Sequence, residues 1–178
     1  MTRQLTRCWV LLLLLGITGP GCATNKVAKD LAGYVNQGVL RIAELERVSL
    51  EKYAAVTGPN YRSDRKIYET LRDEVLPLYK RFLQGLRDLR PETREVIDLH
   101  GIYIVGAESL YEGFREKMAG IAQGDENIIR AANAKIEKGR LENERWRNEL
   151  LALGEKHGLR VDKKEQQKGD TPHAGCRL

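Results

Sequence analysis

Three side chains in the third apolar segment of the chain have the chemistry and spacing of a binding site. His100, Tyr103 and Tyr111 fall on one face of a predicted helix. An imidazole titrates near neutral pH and is the commonest metal ligand in proteins, so a ligand-binding site on this face is one hypothesis. The alternative, which we favour, is a histidine at the edge of the core, hydrogen-bonded to a tyrosine or a carboxylate.

A second set of potential ligands lies near the C-terminus. Asp170, His173 and Cys176 recur at three-residue intervals, and all three are residue types that bind metals. Pro172 and Gly175 interrupt this segment, which has little apolar content, so ordering it around a metal would cost conformational entropy. We therefore predict a disordered, charged tail over residues 160–178, and no metal site.

Motifs of the common enzyme and cofactor classes are missing from the sequence. It contains no Glu-x-x-His pair for a carboxylate-bridged metal centre and no Cys-x-x-Cys-His for haem attachment. It also lacks a Gly-x-Ser-x-Gly nucleophile motif and a phosphate-binding glycine loop before a lysine. The sequence therefore predicts a non-catalytic protein with no catalytic residues, no cofactor and no bound metal.

The charge balance argues against a nucleic-acid partner. The chain of 178 residues has a formal net charge of +5, but residues 22–159 carry 23 basic and 22 acidic residues. A nucleic-acid-binding protein needs a basic face that neutralises phosphates. No such face is visible in the sequence, so we predict no nucleic-acid binding.

Three glycines recur every seven residues within the third apolar segment. Gly106, Gly113 and Gly120 would fall on one flank of a helix. Glycine inside a helix costs ~1 kcal/mol relative to alanine, so their repetition suggests that another backbone approaches closely. That neighbour is either a helix of the same domain, the commoner case, or a partner helix received in a groove. In the second case the glycines would form a partner-binding surface.

The N-terminus has the pattern of an export signal. Arg3 and Arg7 precede an apolar run over residues 8–17, and small residues follow it. A helix needs ~20 apolar residues to cross a bilayer, so this run is too short to span one. A positive segment, a short apolar stretch and small residues are typical of a secretory signal peptide.

Gly21 and Cys22, followed by Ala23, resemble the lipobox of bacterial lipoproteins. The resemblance implies cleavage before Cys22, a diacylglyceryl group on its sulfur and acylation of the new amino group. Several acyl chains hold a protein stably on a membrane. Ala23 after the cysteine resembles the outer-membrane class, so the expected location is the cell envelope, facing the periplasm. Ordinary secretory cleavage, leaving a free thiol at Cys22, and an uncleaved anchor are the alternatives.

Beyond the signal, apolar residues recur every three or four positions, which predicts helices. In the first segment they are Leu31, Val35, Val39, Ile42, Leu45, Tyr53 and Val56; in the fourth segment the seam is Ile129, Ala132, Ile136, Gly139, Asn143, Trp146, Leu150 and Leu153. Asn143 is the polar residue of that seam, and a buried asparagine can fix the register of packed helices.

Short polar breaks separate four such segments. Ser63 and Asp125 are predicted N-caps, Gly124 a left-handed C-cap, and Pro91 a residue of the first turn of the third helix. Pro77 predicts a kink within the second. The sequence thus predicts an all-α protein, an antiparallel up-down-up-down four-helix bundle over residues 22–159, after a signal peptide over residues 1–21.

The predicted function combines the anchor with the bundle. We expect a lipid-anchored, non-catalytic envelope protein, a structural or protein-interaction module held on the membrane through Cys22, with an unidentified envelope protein as its possible partner. The alternative is a periplasmic small-molecule or metal-binding sensor bundle, with His100, Tyr103 and Tyr111 as ligand-binding residues.

Overall fold

A computed structural model describes residues 21–159, with side chains from residue 26 onward. The helices are α1 (Gly21–Gly33), α2 (Leu40–Ala54), α3 (Asp64–Thr70), α4 (Leu76–Asp88), α5 (Arg94–Gln123) and α6 (Glu126–Lys156). A π-helical segment, Tyr34–Val39, joins α1 to α2, and a second, Leu71–Val75, joins α3 to α4. These elements form four long helices, over residues 21–54, 64–88, 94–123 and 126–156. The predicted all-α class is confirmed, and residues 21–159 contain no strand.

Two sequence-based predictions concern segments outside this range. Residues 1–20 of the predicted signal peptide and the predicted tail over residues 160–178, with Asp170, His173 and Cys176, lie outside the described residues. Within the described part, no helix is both long enough and apolar enough to cross a bilayer.

Consecutive helices pack with their residue numbers running in opposite directions. The first two long helices meet through Gly38 with Leu89, Ile42 with Gly85 and Lys52 with Glu74. The second and third meet through Arg87 with Glu108 and Tyr79 with Phe114. In both sets, numbers rise along one helix as they fall along the other, which is the order of contacts between antiparallel neighbours.

Most of the predicted helix ends are confirmed. The Ser63 hydroxyl accepts a hydrogen bond from the Lys66 amide at 3.3 Å. The Asp125 carboxylate accepts from the Asn127 amide at 2.8 Å. Gly124 ends α5 in the left-handed conformation, with φ of 64°.

The prediction for Pro91 is wrong, because α5 begins later, at Arg94. The N-terminal end of α5 is held by a residue that is distant in sequence. The Asp30 carboxylate of α1 accepts hydrogen bonds from the amide of Thr93 at 2.7 Å and from the hydroxyl of Thr93 at 2.6 Å. A carboxylate at this end of a helix satisfies free amides and interacts favourably with the helix dipole.

The π-helical segments lie where the helical pattern breaks. Leu71–Val75 directly precedes the turn that contains Pro77. Proline lacks an amide hydrogen and cannot bond to the carbonyl four residues earlier, so the wider hydrogen-bonding of a π-helix is found at the predicted kink. Tyr34–Val39 was not predicted. At its start Tyr34 is buried, three residues after Leu31, whereas the predicted core residue Val35 is only partly buried.

The glycine flank of α5 packs against α6 of the same chain. A Cβ atom built on Gly113 would lie 3.0 Å from the Ile136 backbone nitrogen, and one on Gly120 would lie 3.0 Å from that of Ile129. The shortest of these distances to a backbone atom is at Gly139 of α6, where a Cβ would lie 2.8 Å from the Gly106 carbonyl oxygen. The approaching backbone inferred from the glycine repeat is therefore α6.

We predict that Gly139→Ala destabilises the protein, whereas Gly101→Ala does not. Alanine gains ~1 kcal/mol of helix propensity at either position. At Gly139 the new methyl group would collide with the backbone of α5, and such overpacking costs ~1–3 kcal/mol. A Cβ at Gly101 meets nothing within 4 Å. Urea unfolding followed by circular dichroism measures both, and equal stability of the two variants would contradict the packing.

A candidate ligand-binding cleft at Glu46

A cleft of about 500 Å³ opens between α2 and α6, with part of α5 at its base. This volume lies in the range of small-molecule sites. The cleft is lined by Glu46, Leu50, Tyr103, Leu110, Glu137, Arg140, Leu141, Asn143, Glu144, Trp146 and Arg147. It therefore combines apolar, aromatic and charged groups contributed by three helices.

The Glu46 carboxylate is held at the floor of the cleft by two uncharged donors. Its Oε2 accepts a hydrogen bond from the Tyr103 hydroxyl at 2.6 Å, and its Oε1 accepts one from Asn143 Nδ2 at 3.0 Å. An ionised carboxylate can accept about four hydrogen bonds, so acceptor capacity remains. Among residues 26–159, no basic side chain forms an ion pair with Glu46.

Burial raises the pKa of Glu46 above that of an ordinary glutamate. The hydrogen bond from Tyr103 and the positive charge of Arg147 lower the pKa, but to a smaller extent. Desolvation opposes the charged form of a carboxyl group, whereas donors and cations favour it. The raised pKa therefore reflects a carboxyl group whose surroundings do not fully compensate for the loss of water.

The position of Asn143 depends on a glycine of α5. A Cβ atom on Gly106 would lie 2.1 Å from Asn143 Oδ1, so the side chain occupies space that only glycine leaves open. From there its Nδ2 reaches Glu46. Asn143 was interpreted from the sequence as a register residue; its contact with a carboxylate links the glycine flank to the cleft.

Two stacked aromatic rings form one wall of the cleft. The rings of Tyr103 and Trp146 lie 3.9 Å apart with an angle of 17° between their planes. Trp146 is 9% exposed, and its Nε1 has no hydrogen-bond partner among the residues that the structure describes. Tyr103 is only 2% exposed, so the stack closes this side of the cleft with apolar atoms beside the carboxylate.

Charged residues of α6 surround the mouth of the cleft. Glu137, Arg140, Glu144 and Arg147 line it, and in the described part of the chain none of them forms an ion pair. Leu141, which lies between them, is 57% exposed. Including Glu46, the lining holds three carboxyl groups and two guanidinium groups, so its formal charge is slightly negative.

The structure separates the three residues that the sequence grouped as a binding site. Tyr103 lines the cleft, whereas His100 and Tyr111 do not. His100 Nδ1 and the Tyr34 hydroxyl form a hydrogen bond of 3.2 Å, and burial lowers the pKa of His100. Tyr111 is partly buried and packs against the core. His100 thus has the tyrosine partner that we expected of a histidine at the edge of the core.

The sequence analysis missed Glu46, although a signal was present. Val39, Ile42, Glu46, Ser49, Tyr53 and Val56 keep three- and four-residue spacing along α2 and just beyond it. Glu46 and Ser49 are the two polar members of this otherwise apolar series. Ser49 is fully buried and donates its hydroxyl to the Leu45 carbonyl at 2.6 Å. A polar residue at a core position of an amphipathic helix marks a buried polar contact.

The predicted lipidation site and the question of a metal site can be examined only within the described residues. Cys22 lies in the first turn of α1. For metals, residues 26–159 contain no group of three or more His, Cys, Asp or Glu side chains that could hold an ion.

Comparison with known proteins gives no match. The chain matches no protein-family model, no curated protein and no solved structure. The function therefore has to be argued from the geometry of the cleft and from the N-terminal sequence.

We predict that Glu46→Gln stabilises the protein at neutral pH. Because the folded-state pKa of Glu46 is raised, the unfolded chain loses this proton first, and stability falls as the pH rises through the unfolded value of 4.5 toward the folded one. Glutamine cannot ionise, so the variant avoids this fall in stability. Its melting temperature should exceed that of the wild type by ~2 °C or more at about pH 7.5, and by less at about pH 4, where Glu46 is mostly protonated in the wild type.

The matched control is Glu44→Gln, on the exposed side of α2. The Arg47 guanidinium lowers the pKa of Glu44, so its removal should not stabilise the protein at neutral pH. Thermal unfolding of the wild type and the two variants measures both effects. A Glu46→Gln variant that melts below the wild type at neutral pH would contradict the environment assigned to this carboxyl group.

Proposed function

We propose that this protein is a lipid-anchored cell-envelope protein without catalytic activity, and that its helical bundle is a module for binding small molecules. The observation that carries the binding role is the cleft at Glu46, whose carboxylate lies at the floor and forms no ion pair with any other residue of the range 26–159. Clefts of this size, with a few convergent polar groups and a perturbed pKa, are typical of ligand sites.

The anchor is supported by the N-terminal sequence and by the start of the first helix. The resemblance to a lipobox makes Cys22 the first residue of the processed chain. Since α1 begins at Gly21, the lipid-bearing residue would lie in the first helical turn. The bundle would therefore be attached to the membrane with almost no linker.

The outer-membrane location, facing the periplasm, belongs to the same proposal and rests on Ala23.

A structural or protein-interaction role is the alternative function. The glycine flank of Gly106, Gly113 and Gly120 contributes little to it, because α6 of the same chain covers that flank. A protein partner would have to bind another surface. The cleft is what favours a small-molecule ligand.

Metabolic labelling with radioactive palmitate tests the anchor. The full chain, expressed in a bacterium that processes lipoproteins, should incorporate label and fractionate with membranes. Cys22→Ser should abolish both, because the thioether sulfur is lost. Cys176→Ser, which removes the other cysteine downstream of Cys22, is the control and should keep the label. An unlabelled wild type, or a labelled Cys22→Ser variant, would refute the anchor.

A further inference from the structure

The cleft presents a negative charge that nothing in its lining neutralises by contact. Within residues 26–159, the donors to Glu46 are Tyr103 and Asn143, both uncharged. A partly buried charge without a contacting counter-ion is costly, and a pairing cation recovers part of that cost. The chemical group that the floor of the cleft lacks is therefore a cation.

The walls of the cleft suit an organic cation better than a metal ion. The Tyr103 and Trp146 rings lie beside the carboxylate, stacked on each other and almost fully buried, so they exclude water from a group bound to Glu46 without supplying further ligand atoms. Leu50, Leu110 and Leu141 also line the cleft, and they can contact an aliphatic chain. A metal ion would need several oxygen or nitrogen ligands at one point, whereas Glu46 is the only carboxylate on the floor.

The mouth of the cleft offers a second point of attachment. Glu137 and Glu144 lie two helical turns apart on α6 and line the opening. Arg140 lies between these two glutamates and Arg147 follows Glu144. The cationic group of a ligand at the mouth would therefore have to contact a carboxylate and avoid both guanidinium groups. An aliphatic chain with a cationic group at each end would connect floor to mouth.

We propose that the cleft binds an aliphatic diamine, with one ammonium group on the Glu46 carboxylate beside the Tyr103–Trp146 stack and the other at Glu137 or Glu144. This inference names the ligand class of the proposed binding function and rests on it. It does not depend on the lipid anchor, which palmitate labelling tests separately.

Fluorescence of Trp146 tests the proposal, with putrescine as the probe. The chain has two tryptophans, and Trp9 lies in the predicted signal peptide, so Trp9→Phe leaves Trp146 as the sole reporter in the cleft whether or not the signal is cleaved. Putrescine should change its emission saturably. Butanediol of the same length, which lacks charge, and succinate, which carries two negative charges, should bind at least about tenfold more weakly.

Variants locate the binding to Glu46. Glu46→Gln, in the same Trp9→Phe background, should weaken putrescine binding by about tenfold or more, while still unfolding cooperatively. Glu44→Gln changes the net charge equally but lies outside the cleft, and it should bind within about twofold of the parent chain. Asn143→Ala, which removes one donor but keeps the carboxylate, should retain the preference for putrescine over butanediol.

The contrary outcomes separate the ligand class from the binding role. If succinate or butanediol binds as tightly as putrescine and Glu46→Gln abolishes that binding, the cleft is a ligand site and the diamine assignment is wrong. Equal putrescine binding by Glu46→Gln and the parent chain overturns the assignment as well. If none of the three probes changes the emission of Trp146, both the diamine assignment and the small-molecule role of the cleft are overturned, whatever the result of palmitate labelling.

Discussion

The close packing of α6 against α5 is the contact on which the rest of the molecule depends. Gly139 of α6 meets the backbone of α5 at Gly106, and Gly113 and Gly120 extend the contact along α5. Each glycine lowers helix propensity, so the sequence gives up local stability to bring two backbones together. The gain is positional, because α6 comes near enough to place Asn143 over Gly106 and within hydrogen-bonding distance of Glu46.

Glu46 also lowers the stability of the folded state, but without a visible structural gain. Two uncharged donors hold its carboxylate, and burial raises its pKa, so the folded state bears an uncompensated cost at neutral pH. A glutamine could keep hydrogen bonds at this site without the charge. Local features that reduce stability with no visible structural gain are often found at functional sites. We therefore interpret the charge of Glu46, rather than its hydrogen bonds, as the functional property of the cleft.

The sequence was most informative where a residue type has one dominant structural role, such as glycine at a close helix contact or serine and aspartate at a helix start. Glycines every seven residues predicted an approaching backbone, and Ser63 and Asp125 predicted the helix starts that they cap. It was least informative where a distant contact decides. The start of α5, beyond Pro91, is bonded to Asp30 of a distant helix, and the π-helical turn at Tyr34–Val39 was not predicted from the spacing of apolar residues. The place of Glu46 in the apolar spacing of α2 is visible in the sequence, but its hydrogen bonds with Tyr103 and Asn143 are contacts with distant residues that the sequence does not reveal.

The most direct test of this account is a pH titration of the Glu46 carboxyl carbon by NMR, in the wild type and in Gly106→Ala. The account predicts a pKa above the ordinary glutamate value of 4.5 in the wild type. It predicts a still higher pKa in Gly106→Ala, because the new methyl group displaces Asn143 and removes a hydrogen bond that favours the charged carboxylate. An ordinary pKa in the wild type would contradict the buried environment of Glu46, and the same pKa in both proteins would show that Gly106 does not control the position of Asn143.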